Sequence, residues 1–156
     1  MILLTRVDHR LLHGQVAFSW TNSLGADAIL IANDKVISNE MWKTTLKLAK
    51  PTGVKLVIKG IDEAIEILNS GVTDKYKLMI IVETIKDAER LIDKVPAIKE
   101  LNLGGSPKKD NSKAIGKSFY VDNEDEGILR GLINKGILVE IRQIASEQKN
   151  ILNDKF

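Results

Sequence analysis

Ile2-Leu3-Leu4-Thr5-Arg6-Val7-Asp8-His9-Arg10-Leu11-Leu12-His13-Gly14-Gln15-Val16-Ala17-Phe18-Ser19-Trp20 runs from apolar residues through a charged turn into an amphipathic segment. Ile2-Leu3-Leu4 reads as a buried strand, and Gly14 to Trp20 reads as the opening of a helix. Both histidines of the chain lie between them, together with Arg6, Asp8 and Arg10. In an open α/β protein the carboxyl end of a strand is where ligands bind.

Outward from this turn the same alternation repeats. Ala26–Ala32, Val54–Ile58, Leu78–Val82, Glu100–Leu103, Ser118–Val121 and Ile137–Ile141 read as further strands. Helices are expected from Ser38 or Asn39 to Ala49, from Ile61 to Asn69, from Thr84 to Lys94 and from Asn123 to Lys135. Ser38 or Asn39, Thr84 and Asn123 supply the N-caps. Pro51-Thr52-Gly53, Gly71, Pro96 and Gly136 supply the breaks. Ser146–Phe156 is expected to form a short helix or a partner contact. Strands alternating with helices imply right-handed crossovers. The fold class is therefore α/β: one three-layer domain over residues 1–156, with an open, mostly parallel sheet of about seven strands and helices on both faces.

Composition narrows the function classes. The chain has 156 residues, enough for one real core. With 44% hydrophobic and 28% charged residues it is expected to be ordered. A net charge of +2 and 4% aromatics argue against nucleic acid as a partner. No run of about 18 apolar residues is present, so no direct membrane insertion is expected. No leader pattern is visible, and the expected location is cytoplasmic. Zero cysteines exclude disulfides and thiolate metal sites. No carboxylate–histidine set resembles a magnesium or zinc site, and no Walker loop is found. Neither a metal nor another cofactor is expected.

His13 stands at the start of a helix, where unpartnered N–H groups and a positive local field attract phosphate. Gly14 lets the backbone approach closely. Arg10 can offer a planar fork of donors to phosphate oxygens, and Arg6 can do the same from the strand end. Neutral imidazole is a nucleophile, and Asp8 can orient one ring N–H so that the other nitrogen attacks. A lone histidine is more often structural or exposed, and an Arg–Asp pair near a strand end is often a solvated ion pair. What favours chemistry here is the convergence of both histidines, two arginines and a glycine on one turn. The residues alone thus point to a histidine that accepts a phosphoryl group.

Arg6 to Val16 closely resembles the signature of the mannose/fructose/sorbose-type IIB components of the bacterial phosphotransferase system (PTS). Trp20-Thr21, Asn33-Asp34 with Val36, Pro51-Thr52-Gly53-Val54-Lys55, Asn102-Leu103-Gly104-Gly105 and Gly136–Gln143 resemble further family segments, so the likeness spans the chain. It implies a sugar phosphotransferase component that accepts phosphoryl from the phosphohistidine of a IIA protein or domain. The group then passes to a sugar held by the membrane components IIC and IID, beside which the protein would sit peripherally. By the same resemblance His13 is the phosphorylated residue, through Nδ1, so the phosphoryl group is carried covalently. Arg10 would bind its oxygens, and Asp8 would position Arg10 or the imidazole. Gly14, Gln15 and the Gly104-Gly105 loop would border the phosphate. His9 stands where many members have a second acidic residue and reads as a site wall or specificity residue. Ser106 departs from the methionine common after the glycine pair. Readings from other classes are a non-catalytic regulatory or anion-binding module, and a phosphate-metabolite enzyme of similar architecture.

Overall fold

The computed structural model describes residues Met1–Phe156. In chain order the elements are β1 (Ile2–Asp8), α1 (Gly14–Leu24), β2 (Ala28–Ala32), α2 (Glu40–Leu48), β3 (Lys55–Lys59), α3 (Ile61–Ser70) and β4 (Leu78–Val82). They continue with α4 (Ile85–Lys94), β5 (Glu100–Gly105), β6 (Lys113–Ala114), β7 (Tyr120–Val121), α5 (Asn123–Asn134), β8 (Leu138–Ile141) and β9 (Asn150–Ile151). Seven strands form one sheet in the order β3-β2-β4-β1-β5-β8-β9. Every neighbouring pair is parallel except β8–β9.

Alternation along the strands divides the core. Leu78, Ile80 and Val82 of β4 face a cluster that holds Ile61 and Ala64 of α3, Ala88 and Leu91 of α4, and Leu129 and Leu132 of α5. Met79 and Ile81 face the opposite cluster, with Ala17 and Trp20 of α1 and Leu46 of α2. A strand buried on both faces reads as an unbroken apolar run, which is what Leu-Met-Ile-Ile-Val is. From β1 the chain moves by α1 toward β2 on one face; from β4 it moves by α4 toward β5 on the other. The neighbours β1 and β4 thus send their crossovers in opposite directions, and their carboxyl ends open a crevice at that reversal.

Local signals hold well at the caps. The side chain of Asn39 accepts from the Trp42 amide, and that of Thr84 accepts from the Asp87 amide. Gly71 leaves α3 in the left-handed region with φ 83°. At α5 the cap is Asp122 rather than Asn123, in a reciprocal box with Asp125.

Three expectations are corrected. β1 does not stop at Leu4 but continues through Arg6 and Asp8, because these two charges neutralise each other inside the fold. The segment Ser118–Val121 does not join the main sheet: Tyr120–Val121 pairs antiparallel with Lys113–Ala114 in a separate two-stranded ribbon. The tail forms no helix. It adds β9 beside β8, with the Asn153 side chain accepting from the Val139 amide at 2.8 Å and donating to the Ile137 carbonyl at 2.8 Å. Without that cover β8 would expose a row of unpaired backbone groups.

Candidate functional site

Side-chain alternation places Leu4, Arg6 and Asp8 of β1 on the α1 side, and Val7 on the other. At the end of β1 the chain turns sharply. The Asp8 carbonyl accepts from the Leu11 amide at 2.9 Å, and Asp8 Oδ1 accepts from the Arg10 amide at 3.1 Å. Leu11 takes φ 59°, a left-handed conformation uncommon for a branched side chain, and is held there with its side chain buried. His13 then occupies the N-cap of α1 in extended conformation, yet its side chain does not cap the helix. Nε2 instead lies 3.1 Å from Asp8 Oδ2.

That contact fixes the chemistry of the ring. Burial pushes the Asp8 carboxyl up; the hydrogen bond with His13, the Arg6 charge and the Arg10 amide outweigh it and hold the group at about 2. Asp8 is therefore an ionised, acceptor-only group, so Nε2 must carry the hydrogen it shares with Asp8. In neutral His13 the lone pair then sits on Nδ1. The first-turn amides of Gly14, Gln15 and Val16 donate to no backbone carbonyl, and no side chain caps them. Arg10 is 44% exposed at its side chain, with Nε 3.5 Å from Asp8 Oδ1 and both Nη groups free of protein partners. A nucleophilic nitrogen, a helix N-terminus and a free guanidinium fork meet at one surface turn.

Arg6 does something other than the sequence suggests. Its side chain is 1% exposed. Nη1 donates to Asn102 Oδ1 at 2.7 Å and to the Arg142 carbonyl at 3.0 Å; Nη2 donates to Asp8 Oδ2 at 3.1 Å and to the Gln143 carbonyl at 2.9 Å. With both Nη groups engaged, it cannot offer a fork to phosphate without breaking these bonds. It lies behind Asp8 as a strut. Burial lowers the Arg6 pKa, and the Asp8 charge opposes that shift. Two guanidinium groups pack against the Trp20 ring, Arg6 at 5.4 Å and Arg142 at 4.7 Å, and the Trp20 Nε1 donates to the Gln143 carbonyl at 3.0 Å.

The glycine pair serves this strut. A Cβ on Gly104 would lie 2.1 Å from Arg6 Cζ, so the guanidinium occupies the space a side chain would fill. A Cβ on Gly105 would meet Asp8 Oδ1 at 3.2 Å and His9 Nδ1 at 3.5 Å. Gly104 packs closely under Arg6, while Gly105 lies against Asp8 and His9. Gln15 is exposed on the first turn of α1.

The two histidines flank the same carboxylate but only His13 is hydrogen-bonded to it. His9 donates its amide to the Gly105 carbonyl at 3.1 Å, and its Nδ1 stays 3.9 Å from Asp8 Oδ1 without a hydrogen-bond partner. Its ring lines a cleft of about 130 Å³ with Val7, Thr84 and Ser106, and His13 is not part of that lining.

Sequence reasoning from physics missed Asn102, Glu140, Arg142 and Trp20 as parts of the support. Asn102 Nδ2 donates to Glu140 Oε1 and to the Arg142 carbonyl, both at 3.3 Å, and Arg142 Nη2 donates to Glu140 Oε1 at 3.0 Å. A signal for two of them was present: Asn102 between Leu101 and Leu103, and Glu140 between Val139 and Ile141, interrupt otherwise apolar strands.

Both the sequence and the fold have known relatives. Residues 2–156 match the family described as "PTS system sorbose subfamily IIB component". The chain is 30% identical to the sorbose-specific EIIB component of Lacticaseibacillus casei, over 94% of this chain and 90% of that one. It is 28% identical to the mannose-specific EIIAB component of Escherichia coli, over 96% of this chain and 46% of that longer protein. Among solved structures, the IIB domain of the sorbose permease from Klebsiella pneumoniae superposes with a TM-score of 0.92 at 28% identity, covering 99% of this chain and 95% of that one.

Proposed function

Since the chain belongs to the sorbose-subfamily IIB components of the PTS, a family of sugar-transport phosphotransferases, we propose that it relays a phosphoryl group through Nδ1 of His13. The observation that carries this reading is the 3.1 Å contact between His13 Nε2 and the ionised Asp8, which leaves Nδ1 as the free nucleophile. The donor is the phosphohistidine of a IIA protein or domain; the joined EIIAB relative supports that partner. The acceptor is a sugar held by membrane IIC and IID components. No helix here is long and apolar enough to cross a membrane. Receiving phosphoryl from IIA and passing it to IIC and IID puts the chain at the cytoplasmic side of those components in this reading.

The step is an in-line displacement. The Nδ1 lone pair forms the new N–P bond while the donor's N–P bond breaks. Arg10 and the open amides of α1 meet the charge on the transferring oxygens. Because Nε2 keeps its hydrogen, phosphorylated His13 carries a cationic ring, and Asp8 offsets that charge as it would for an imidazolium. In the second step a sugar hydroxyl oxygen attacks phosphorus as the His13 N–P bond breaks; its proton passes to water, and His13 returns as neutral imidazole. Positioning, rather than acid–base power from the chain, governs both steps.

The test is incubation with labelled phosphoenolpyruvate, the general phosphotransfer proteins and the cognate IIA. The native chain acquires an acid-labile label only when IIA is present, and His13→Gln acquires none while keeping its fold. Membranes bearing IIC and IID with their sugar then discharge the label. Labelling of His13→Gln, or failure of the folded native chain to take label from active donors, contradicts the assignment.

A further inference from the structure

At the end of the sheet opposite His13, the amino ends of β2, β3 and β4 frame a second cavity. Ala28, Lys55 and Leu78 lie in register there, and the cavity measures about 240 Å³. Its walls are apolar, with Val57 of the edge strand β3 on one side and Ile67 and the exposed Val72 on the other. Its mouth carries Lys55, Lys75 and Tyr76. Lys55 Nζ donates to the Tyr76 hydroxyl at 3.2 Å, and the two ammonium groups stand 5.2 and 5.3 Å from the centre of the Tyr76 ring.

These two cations have no counter-ion within the chain. What sets them apart from the chain's other unpaired lysines is that both stand beside one tyrosine ring at an apolar cavity. The nearby Asp27 is turned to the backbone, its Oδ1 accepting from the Lys77 amide at 2.8 Å. Like charges gathered over one ring repel each other, and an anion between them removes that cost. The phenol responds to the same field, since the Lys55 hydrogen bond and the charges of Lys55 and Lys75 lower the Tyr76 pKa.

From the apolar cavity and the paired lysines at its mouth we infer that this site binds a small carboxylate with a hydrocarbon body. The carboxylate sits between Lys55 and Lys75, and the body fills the space among Val57, Ile67 and Val72. The cavity is smaller than the roughly 300 Å³ at which drug-sized pockets begin, so the ligand is an alkanoate or simple aryl carboxylate rather than a cofactor. The apolar walls behind the ammonium groups favour an anion that carries a hydrocarbon body over free inorganic phosphate.

The experiment is a methyl-labelled NMR titration of the full chain with three probes: octanoate, 1-octanol and acetate. Octanoate shifts the methyls of Val57, Ile67 and Val72 saturably, whereas the uncharged octanol and the bodiless acetate bind at least about tenfold more weakly. Lys55→Met/Lys75→Met weakens octanoate at least about tenfold with the amide spectrum outside the cavity unchanged. Equal binding of octanol and octanoate, no saturation below about 10 mM octanoate, or unchanged affinity in the double variant overturns the inference. The probe comparison on the native chain decides it even where the variant misfolds. Neither lysine belongs to the His13 site, so the outcome is independent of the phosphotransfer reading.

Discussion

Two Arg–Asp pairs stand near strand ends in this molecule and do different work. Arg90 and Asp34 meet at 2.8 Å on the surface, with side chains 44% and 57% exposed; Arg6 and Asp8 meet at 3.1 Å with side chains 1% and 0% exposed. The shorter pair is screened by water, and Asp34 also accepts from the Ile61 amide at 2.9 Å at the start of α3. The longer pair is cut off from water and held by five further groups: Asn102, the carbonyls of Arg142 and Gln143, the amide of Arg10 and the ring of His13. Distance therefore says little about what an ion pair does. Burial with every neighbour committed turns a pair into an orienting device, at the cost of a structure that fails when one member is removed.

Breaking the buried pair gives the largest effect. Asp8→Asn leaves the Arg6 charge uncompensated and destabilises the fold by about 3–5 kcal/mol in urea unfolding. In the same variant the ring loses its anionic partner, and single-turnover transfer from IIA slows roughly 10²–10⁴-fold. Gly104→Ala attacks the pair from below and costs about 3 kcal/mol, because a Cβ 2.1 Å from Arg6 Cζ has nowhere to go. In an Arg6→Leu background the same alanine costs under about 1 kcal/mol; an equal cost in both backgrounds would separate Gly104 from the strut.

Acid sharpens the comparison next. Asp8 titrates at about 2 when folded against 3.8 for the free group, so its contribution is full above about pH 4 and is lost as pH falls through 2. It amounts to about 2 kcal/mol. Subtracting the Asp8→Asn denaturation curve isolates it, and a flat difference between pH 4 and 2 would count against the buried geometry. The smallest effect belongs to the surface pair. Arg90→Ala lowers stability by less than about 1 kcal/mol, fading further in high salt.

The same contrast explains what could be read from the sequence. β4 and α4 were legible to the residue: an unbroken Leu-Met-Ile-Ile-Val run announces a strand buried on both faces, and Thr84 caps the helix after it. Asp8, Arg10 and His13 were legible as a cluster, because the turn that unites them is local. Arg6 was misread, because its partners come from β5 and the end of β8, 96 to 137 residues away. A charged residue in that position looks like part of a turn until the long-range partners are known. The tail was misread for a related reason. Asn150–Ile151 is too short to announce a strand, and only the open edge of β8 makes it one. His9 and His13 are four residues apart in the turn and approach opposite oxygens of Asp8, yet only His13 is within hydrogen-bond distance, a difference that the turn's geometry sets and composition cannot.

Asp8 selects the reacting nitrogen of His13. That selection is tested most directly by NMR of the chain carrying ¹⁵N-labelled histidine, phosphorylated through IIA and kept at neutral pH. The expected spectrum shows phosphorus coupled to Nδ1 of His13, a hydrogen retained on Nε2, and an unmodified His9. Phosphorus on Nε2 of His13, or on His9, would contradict it.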